Sequence, residues 1–359
     1  MRILIIDTCY PAFLERHYAA RPSLRAASYG DQWRALMDTF FGTADAYSHN
    51  LRALGHDAHE VVANCVPLQH AWAREHGHTR DIRGVSPEES IVVEQARAFE
   101  PDVVYVQHVH FLSDEALMRL KEISGFLVGQ IATEPPRASR LRRFDLLVTC
   151  LPPFAERFRA QGVPTELLRL GFDERALTRV EATGAERGVH PAVFVGSLGR
   201  TQHRRANAHL ARAARRAPLE FWGYNTRLWP PWSPVRRRYH GEAWGLDMYR
   251  VLYESRIAVN RHGGIAGNFA VNMRLYEASG MGALLLTDGG ESLDRLFGIG
   301  QELVVWNTAS ELQELIHHYL RDEAARREIA AAGQRRTLRE HTYAHRMQEL
   351  VSILERHQP

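Results

Sequence analysis

The sequence predicts an α/β protein built from two doubly wound, Rossmann-like domains that face each other across a cleft. Three observations predict the class. Short apolar runs alternate with longer amphipathic stretches, the alternation occurs in two separate series, and a polar stretch divides them. A length of 359 residues agrees, because a domain takes about 100 to 200 residues.

The first series opens with Ile3 to Ile6, passes through polar loop chemistry, and enters a helix over Ala44 to Leu54 that Gly55 stops. Apolar runs follow at Asp57 to Val62, Val103 to Val106, Phe126 to Ile131, Leu146 to Cys150 and Thr165 to Leu170. Amphipathic segments at Ser90 to Phe99, Asp114 to Ile123 and Pro153 to Gln161 separate them. Continuous apolar strands of this kind belong to a parallel sheet covered on both faces.

From Gly171 to His190 no hydrophobic period is sustained, so residues 173–190 are expected to link a first domain (1–172) to a second (191–340). The second series has runs at Ala192 to Val195, Leu219 to Trp222, Ile257 to Asn260, Ala283 to Leu286 and Leu303 to Trp306. Ala309 to Arg356 reads as helical, with breaks near Gly333 and at His341 to Tyr343, and residues 341–359 are expected to cross back to the first domain.

Composition excludes several function classes. Lys+Arg is 45 against Asp+Glu 42, Lys121 is the only lysine, and a net charge of +3 is too small to predict nucleic acid binding. Arginine clusters at Arg140 to Arg143, Arg204 and Arg205, Arg215 and Arg216, and Arg236 to Arg238 suit solvated faces, phosphate or a membrane surface. No apolar stretch is long enough to span a bilayer, and the start MRILIID has no signal-peptide layout, so a cytoplasmic protein is expected. Cys9, Cys65 and Cys150 form no CxxC pair and are expected to be reduced and inert.

Residues just after strands carry most functional weight, because ligands of open parallel sheets bind there. Gly196-Ser197-Leu198-Gly199-Arg200 follows one strand and precedes a helix, so its amides and the Arg200 fork could hold an anion; a plain strand-to-helix turn explains the glycines equally. A second segment, Ile257 to Asp288, has a glycine loop (Gly263, Gly264, Gly267) with Asn268 and Asn272, then a helix from about Val271 to Ser279 carrying Arg274 and Glu277. Those two are i, i+3 neighbours and could simply pair; alternatively, Glu277 accepts from ribose hydroxyls while loop amides and Arg274 meet a diphosphate. Asn207 to Arg216 reads as a surface helix. The loop Tyr224 to Gly245, rich in Trp, Pro and Arg, reads either as a stacking surface or as an apolar plug.

The run Arg274-Leu275-Tyr276-Glu277-Ala278-Ser279-Gly280, leading into an apolar strand, resembles the nucleotide-sugar segment of GT-B glycosyltransferases. Asn272 to Glu277 and the Phe194 to Ser197 strand end are most similar to the spore-maturation-protein-like (CgeB-like) branch. The resemblance covers most of residues 190 to 355. It implies a nucleoside diphosphate sugar held by the second domain, with Glu277 on the ribose and Gly263 to Asn272 near the diphosphate. Larger retaining relatives carry a glutamate eight positions earlier, where Phe269 stands here, so the sequence departs from their grip on the donor sugar.

In the first domain Gln107-His108-Val109-His110 follows a strand, and strand alternation would aim both histidines the same way. Sugar or acceptor contact, a structural hydrogen bond and metal ligation compete for them; a histidine near this place in GT-B enzymes often touches donor or acceptor. Candidate general bases are His108, His110, Glu134 and Asp7, each after a strand. The expected function is sugar transfer from a nucleotide diphosphate sugar to an acceptor hydroxyl, with no bound metal and no cofactor beyond the donor. The acceptor is a small molecule, glycan or protein, and membrane contact is confined to a surface. A sugar-nucleotide epimerase and a non-catalytic nucleotide-sugar-binding protein are the alternatives.

Overall fold

The computed structural model describes residues 1–78, 82–199 and 203–358. The chain divides into one unit of Met1–Arg169 with Arg346–Pro359 and another of Leu170–His345.

The first unit contains the strands β1 (Arg2–Asp7), β2 (Asp57–Val62), β3 (Val103–Val106), β4 (Phe126–Gln130), β5 (Leu146–Thr149) and β6 (Thr165–Leu167). They form one parallel sheet in the order β2-β1-β3-β4-β5-β6. Ile3 to Ile6, Val103 to Val106 and Leu146 to Val148 are all buried, as strands covered on both faces require. The second unit contains β7 (His190–Val195), β8 (Leu219–Trp222), β9 (Ser255–Asn260), β10 (Leu284–Asp288) and β11 (Val304–Trp306). Its sheet is also parallel, in the order β11-β10-β9-β7-β8.

Both sheets reverse strand order at one place, between β1 and β3 in the first unit and between β7 and β9 in the second. Such a reversal opens a crevice beyond the strand C-termini.

Several segments differ from the sequence expectation. Residues 173–190 are not an irregular linker: Glu174–Glu181 is a helix of the second unit, capped by Asp173 Oδ1 accepting from Arg175 N at 3.1 Å. It buries only Ala176 and Val180, which is too narrow an apolar stripe to stand out among charges. Gly333 does not break a helix but lies inside Glu323–Glu340, where any Cβ would overlap the Glu302 carbonyl oxygen. The polar stretch after β1 holds two helices, Pro11–Ala20 and Tyr29–Met37, the second capped by Ser28 Oγ accepting from Asp31 N at 3.1 Å. The last helix, Tyr343–His357, starts in the second unit and belongs to the first from Arg346 onward. Among the described residues no helix is long and apolar enough to cross a membrane.

Candidate functional site

At the reversal in the second unit, β7 runs into Gly196-Ser197-Leu198-Gly199. Gly223, with φ +143°, follows β8 so closely that a Cβ would overlap Gly196 O, so only glycine fits. The Gly196 and Leu198 amides donate to Trp222 O and Tyr224 O at 3.0 and 2.9 Å. These two amides of the glycine turn are therefore not available to an anion. Arg200 lies outside the described residues.

The loop is held through its carbonyls instead. Asn207 Nδ2 donates to Gly199 O at 2.7 Å and to Ser197 O at 3.3 Å, while its Oδ1 accepts from Arg261 Nε at 2.8 Å. Arg261 Nη2 donates to Ser197 O at 2.8 Å. Arg261 is the first residue after β9 and only 7% exposed. Burial pushes its guanidinium down to about 10, against the opposing pull of Asp288 and Tyr224. Next to it, His262 Nδ1 stands 2.7 Å from Asp288 Oδ1, and the His262 amide donates to both Asp288 oxygens. Ser197 Oγ and His262 Nε2 are buried without a hydrogen-bond partner among the described residues. A guanidinium fixed from behind, a hydroxyl and an imidazole at one sheet reversal are the chemistry that receives a multi-oxygen anion.

Of this cluster only Ser197 stands among the residues that the sequence singles out. Asn207, assigned there to a surface helix, is 1% exposed and turned inward. Arg261 and His262 directly follow a strand, so the strand-end rule already held the signal; the glycines beyond them drew the attention.

Helix Arg274–Gly280 carries Glu277. Its Oε2 lies 2.8 Å from Arg274 Nη1, and its Oε1 accepts from Tyr249 OH at 3.4 Å. Arg274 also abuts Met248 Sδ, so the i, i+3 pairing is realised. Asn272 is spent on structure: Nδ2 donates to Asn260 Oδ1 and Arg261 O at 2.8 and 2.9 Å, and Oδ1 accepts from Leu275 N, capping the helix. In the glycine loop, Gly263, Gly264 and Gly267 have nothing within 4 Å of a Cβ position. Asn268 O accepts from Glu291 N at 2.6 Å, and Phe269 bridges to Glu291.

In the first unit the reversal brings Asp7 beside Gln107, one step beyond the register pair Ile6 and Val106. Burial pushes the Asp7 carboxyl up to about 6, against hydrogen bonds from the Thr8 backbone and the Thr43 side chain. Thr43 Oγ1 donates to Gln107 Oε1 at 3.2 Å, and Gln107 Nε2 is buried without a partner among the described residues. His108 Nδ1 is likewise buried without a partner among the described residues, and burial, then the nearby His110, lowers the His108 pKa. His110 is exposed in a turn, so strand alternation does not govern it, yet the two rings are 5.7 Å apart. Glu134 is exposed. Arg140 and Arg143 are committed to Asp114, and Arg140 Nε also donates to Val109 O, which fixes the histidine turn. Among the described residues no three His, Cys, Asp or Glu side chains group to hold a metal ion.

Residues 200–352 match the family model described as "Glycosyl transferase-like". Three solved structures align over nearly the whole chain. HepE of Anabaena in complex with UDP-glucose shares 14% identity, covering 99% of this chain and 100% of its own, with a TM-score of 0.59. AviGT4, a glycosyltransferase involved in avilamycin A biosynthesis, shares 13% over 100% of this chain and 98% of its own, at 0.58. A glycosyltransferase from Rickettsia africae shares 10% over 99% and 98%, also at 0.58. The chain has the GT-B glycosyltransferase fold. No curated protein matches the sequence. Within this GT-B fold the family match contains Asn207, Arg261 and Glu277, so the second unit's polar cluster falls largely inside the matched segment.

Proposed function

We propose that this protein transfers a sugar from a nucleoside diphosphate sugar to an acceptor hydroxyl without a bound metal, and that the second unit holds the donor. Buried Arg261, braced by Asn207 and the Ser197 carbonyl, is the observation that carries the reading. A leaving diphosphate gains negative charge, and a preorganised guanidinium with His262 and Ser197 would meet it where other enzymes use a divalent cation. Glu277 suits the ribose: a carboxylate has about four acceptor sites, and Arg274 and Tyr249 take two. The resemblance to the spore-maturation-protein-like branch supports the same assignment.

The acceptor hydroxyl needs a general base, for which Asp7, His108, His110 and Glu134 are the candidates. Asp7 suits this best, because a carboxyl near 6 is mostly ionised at neutral pH yet far more basic than a free carboxylate. UDP sugars come first among donors, since HepE was captured with UDP-glucose.

Calorimetric titration with UDP, UDP-glucose, GDP and CMP tests the reading. One nucleotide should bind and raise the melting temperature by mass action. Absence of binding by any nucleoside diphosphate or its sugar overturns it. Incubation with the bound donor alone separates the alternatives: an epimerase changes the sugar without an acceptor, and a binding protein leaves the donor intact with every acceptor.

A further inference from the structure

The loop between β8 and the helix Leu246–Tyr253 meets the β7 turn through Gly223, Tyr224 and Trp229, whose Nε1 donates to Leu198 O at 2.7 Å. Its other side is unusual for a surface. Leu228 is 60% exposed and Trp232 78% exposed, two large apolar side chains four residues apart. Exposed Arg227, Arg236 and Arg237 lie in the same loop, and Arg236 Nη1 reaches Thr226 Oγ1 at 3.3 Å, which ties the short helix Pro234–Arg237 to the Arg227 turn.

Within this loop the charge has one sign. From Phe221 to Gly241 the sequence contains no Asp or Glu. The acids on either side are engaged: Glu220 lies 2.9 Å from His190 and 3.4 Å from His240, and Glu242 accepts from Trp244 Nε1 at 2.9 Å. Arg238, by contrast, is structural, donating to the Ala214 and Ala217 carbonyls, which sets the exposed Arg215 and Arg216 beside the same helix.

We propose that this loop docks on an anionic phospholipid surface. Tryptophan favours the headgroup level of a bilayer, exposed leucine gains from the acyl boundary, and arginines gain from anionic lipid. Either signal alone binds weakly, whereas the two together hold a protein reversibly at the interface. A nucleic acid would use the arginines but give Leu228 nothing to bury against.

Co-sedimentation of the full chain with vesicles tests the proposal, independently of any donor or acceptor. Binding to vesicles of 30% phosphatidylglycerol in phosphatidylcholine is expected at low salt, with little on pure phosphatidylcholine and loss at about 0.5 M salt. The Arg227→Gln/Arg237→Gln variant should lower partitioning at least about tenfold, as should Leu228→Ser/Trp232→Ser. Melting temperatures of both variants serve as the folding control. Failure to bind anionic vesicles, equal binding to neutral ones, or wild-type binding by folded variants overturns the proposal. So does capture by heparin without capture by vesicles, which would make the surface a polyanion site.

Discussion

Arg261 Nε donates to Asn207 Oδ1 at 2.8 Å, joining the residue after β9 to the helix that follows β7. This bond lies where the strand order of the second sheet reverses. With the Ser197 carbonyl on Nη2, it fixes one edge of the guanidinium fork. Fixing before binding spares the ordering cost that a free arginine would bring to each ligand contact.

Arg261→Gln should weaken UDP binding about tenfold or more while leaving uridine unchanged, because a hydrogen bond to a charged group contributes about 1.5 to 3 kcal/mol. Asn207→Ala should weaken UDP binding less, since the guanidinium remains but loses its brace. Calorimetry with both ligands reads this, and equal losses for UDP and uridine would mean that Arg261 acts through folding alone.

Glu277→Ala should weaken UDP and uridine alike, about tenfold or more, if the carboxylate reaches the ribose. It also strands Arg274, so a lower melting temperature is expected. Tyr249→Phe separates the two effects. It removes the 3.4 Å hydroxyl contact and should change affinity little.

Asp7→Asn should cut turnover about 100-fold to 10,000-fold and abolish an acid limb near pH 6 in the rate profile, with donor affinity retained. His108→Ala should lower turnover less and leave that limb in place. If the limb survives in the Asp7 variant and vanishes in the His108 variant, the base assignment is reversed. Glu134→Ala should be nearly silent. Full turnover should persist in EDTA, and loss on chelation with recovery on adding Mg²⁺ would refute the metal-free reading.

Strand positions were legible where burial on both faces leaves an uninterrupted apolar run: Ile3 to Ile6 and Val103 to Val106 lie in observed strands. The helix Glu174–Glu181 was hidden because two buried apolar residues suffice to seat it. Glu277 and Arg274 were visible from their spacing, which allowed either mutual pairing or a ribose contact, and the fold realises the pairing. Asn207 and Arg261 are 54 residues apart, and nothing in composition or period links them. Their meeting follows from β7 and β9 being neighbours, a strand order that the chain reveals only when folded.

Glu60 on β2 gives a stability prediction separate from function. Its carboxyl is buried, accepts from Ser48 N at 2.7 Å and bonds the Ser48 hydroxyl, and burial pushes it up to about 8, with those hydrogen bonds opposing. In the unfolded chain it titrates near its ordinary 4.5. Between those two values the folded state holds a proton that the unfolded state lacks, so this group's stabilisation is present in full below about 4.5 and is lost as pH rises through about 8. The slope from one such proton is at most about 1.4 kcal/mol per pH unit. Urea unfolding at pH 5.5, 7 and 8.5 should therefore show stability falling as pH rises, and Glu60→Gln, which keeps the amide acceptor but cannot ionise, should flatten that fall. Identical pH dependence in the variant and the parent would show that Arg52, which favours the charged form, already holds Glu60 ionised in the native state.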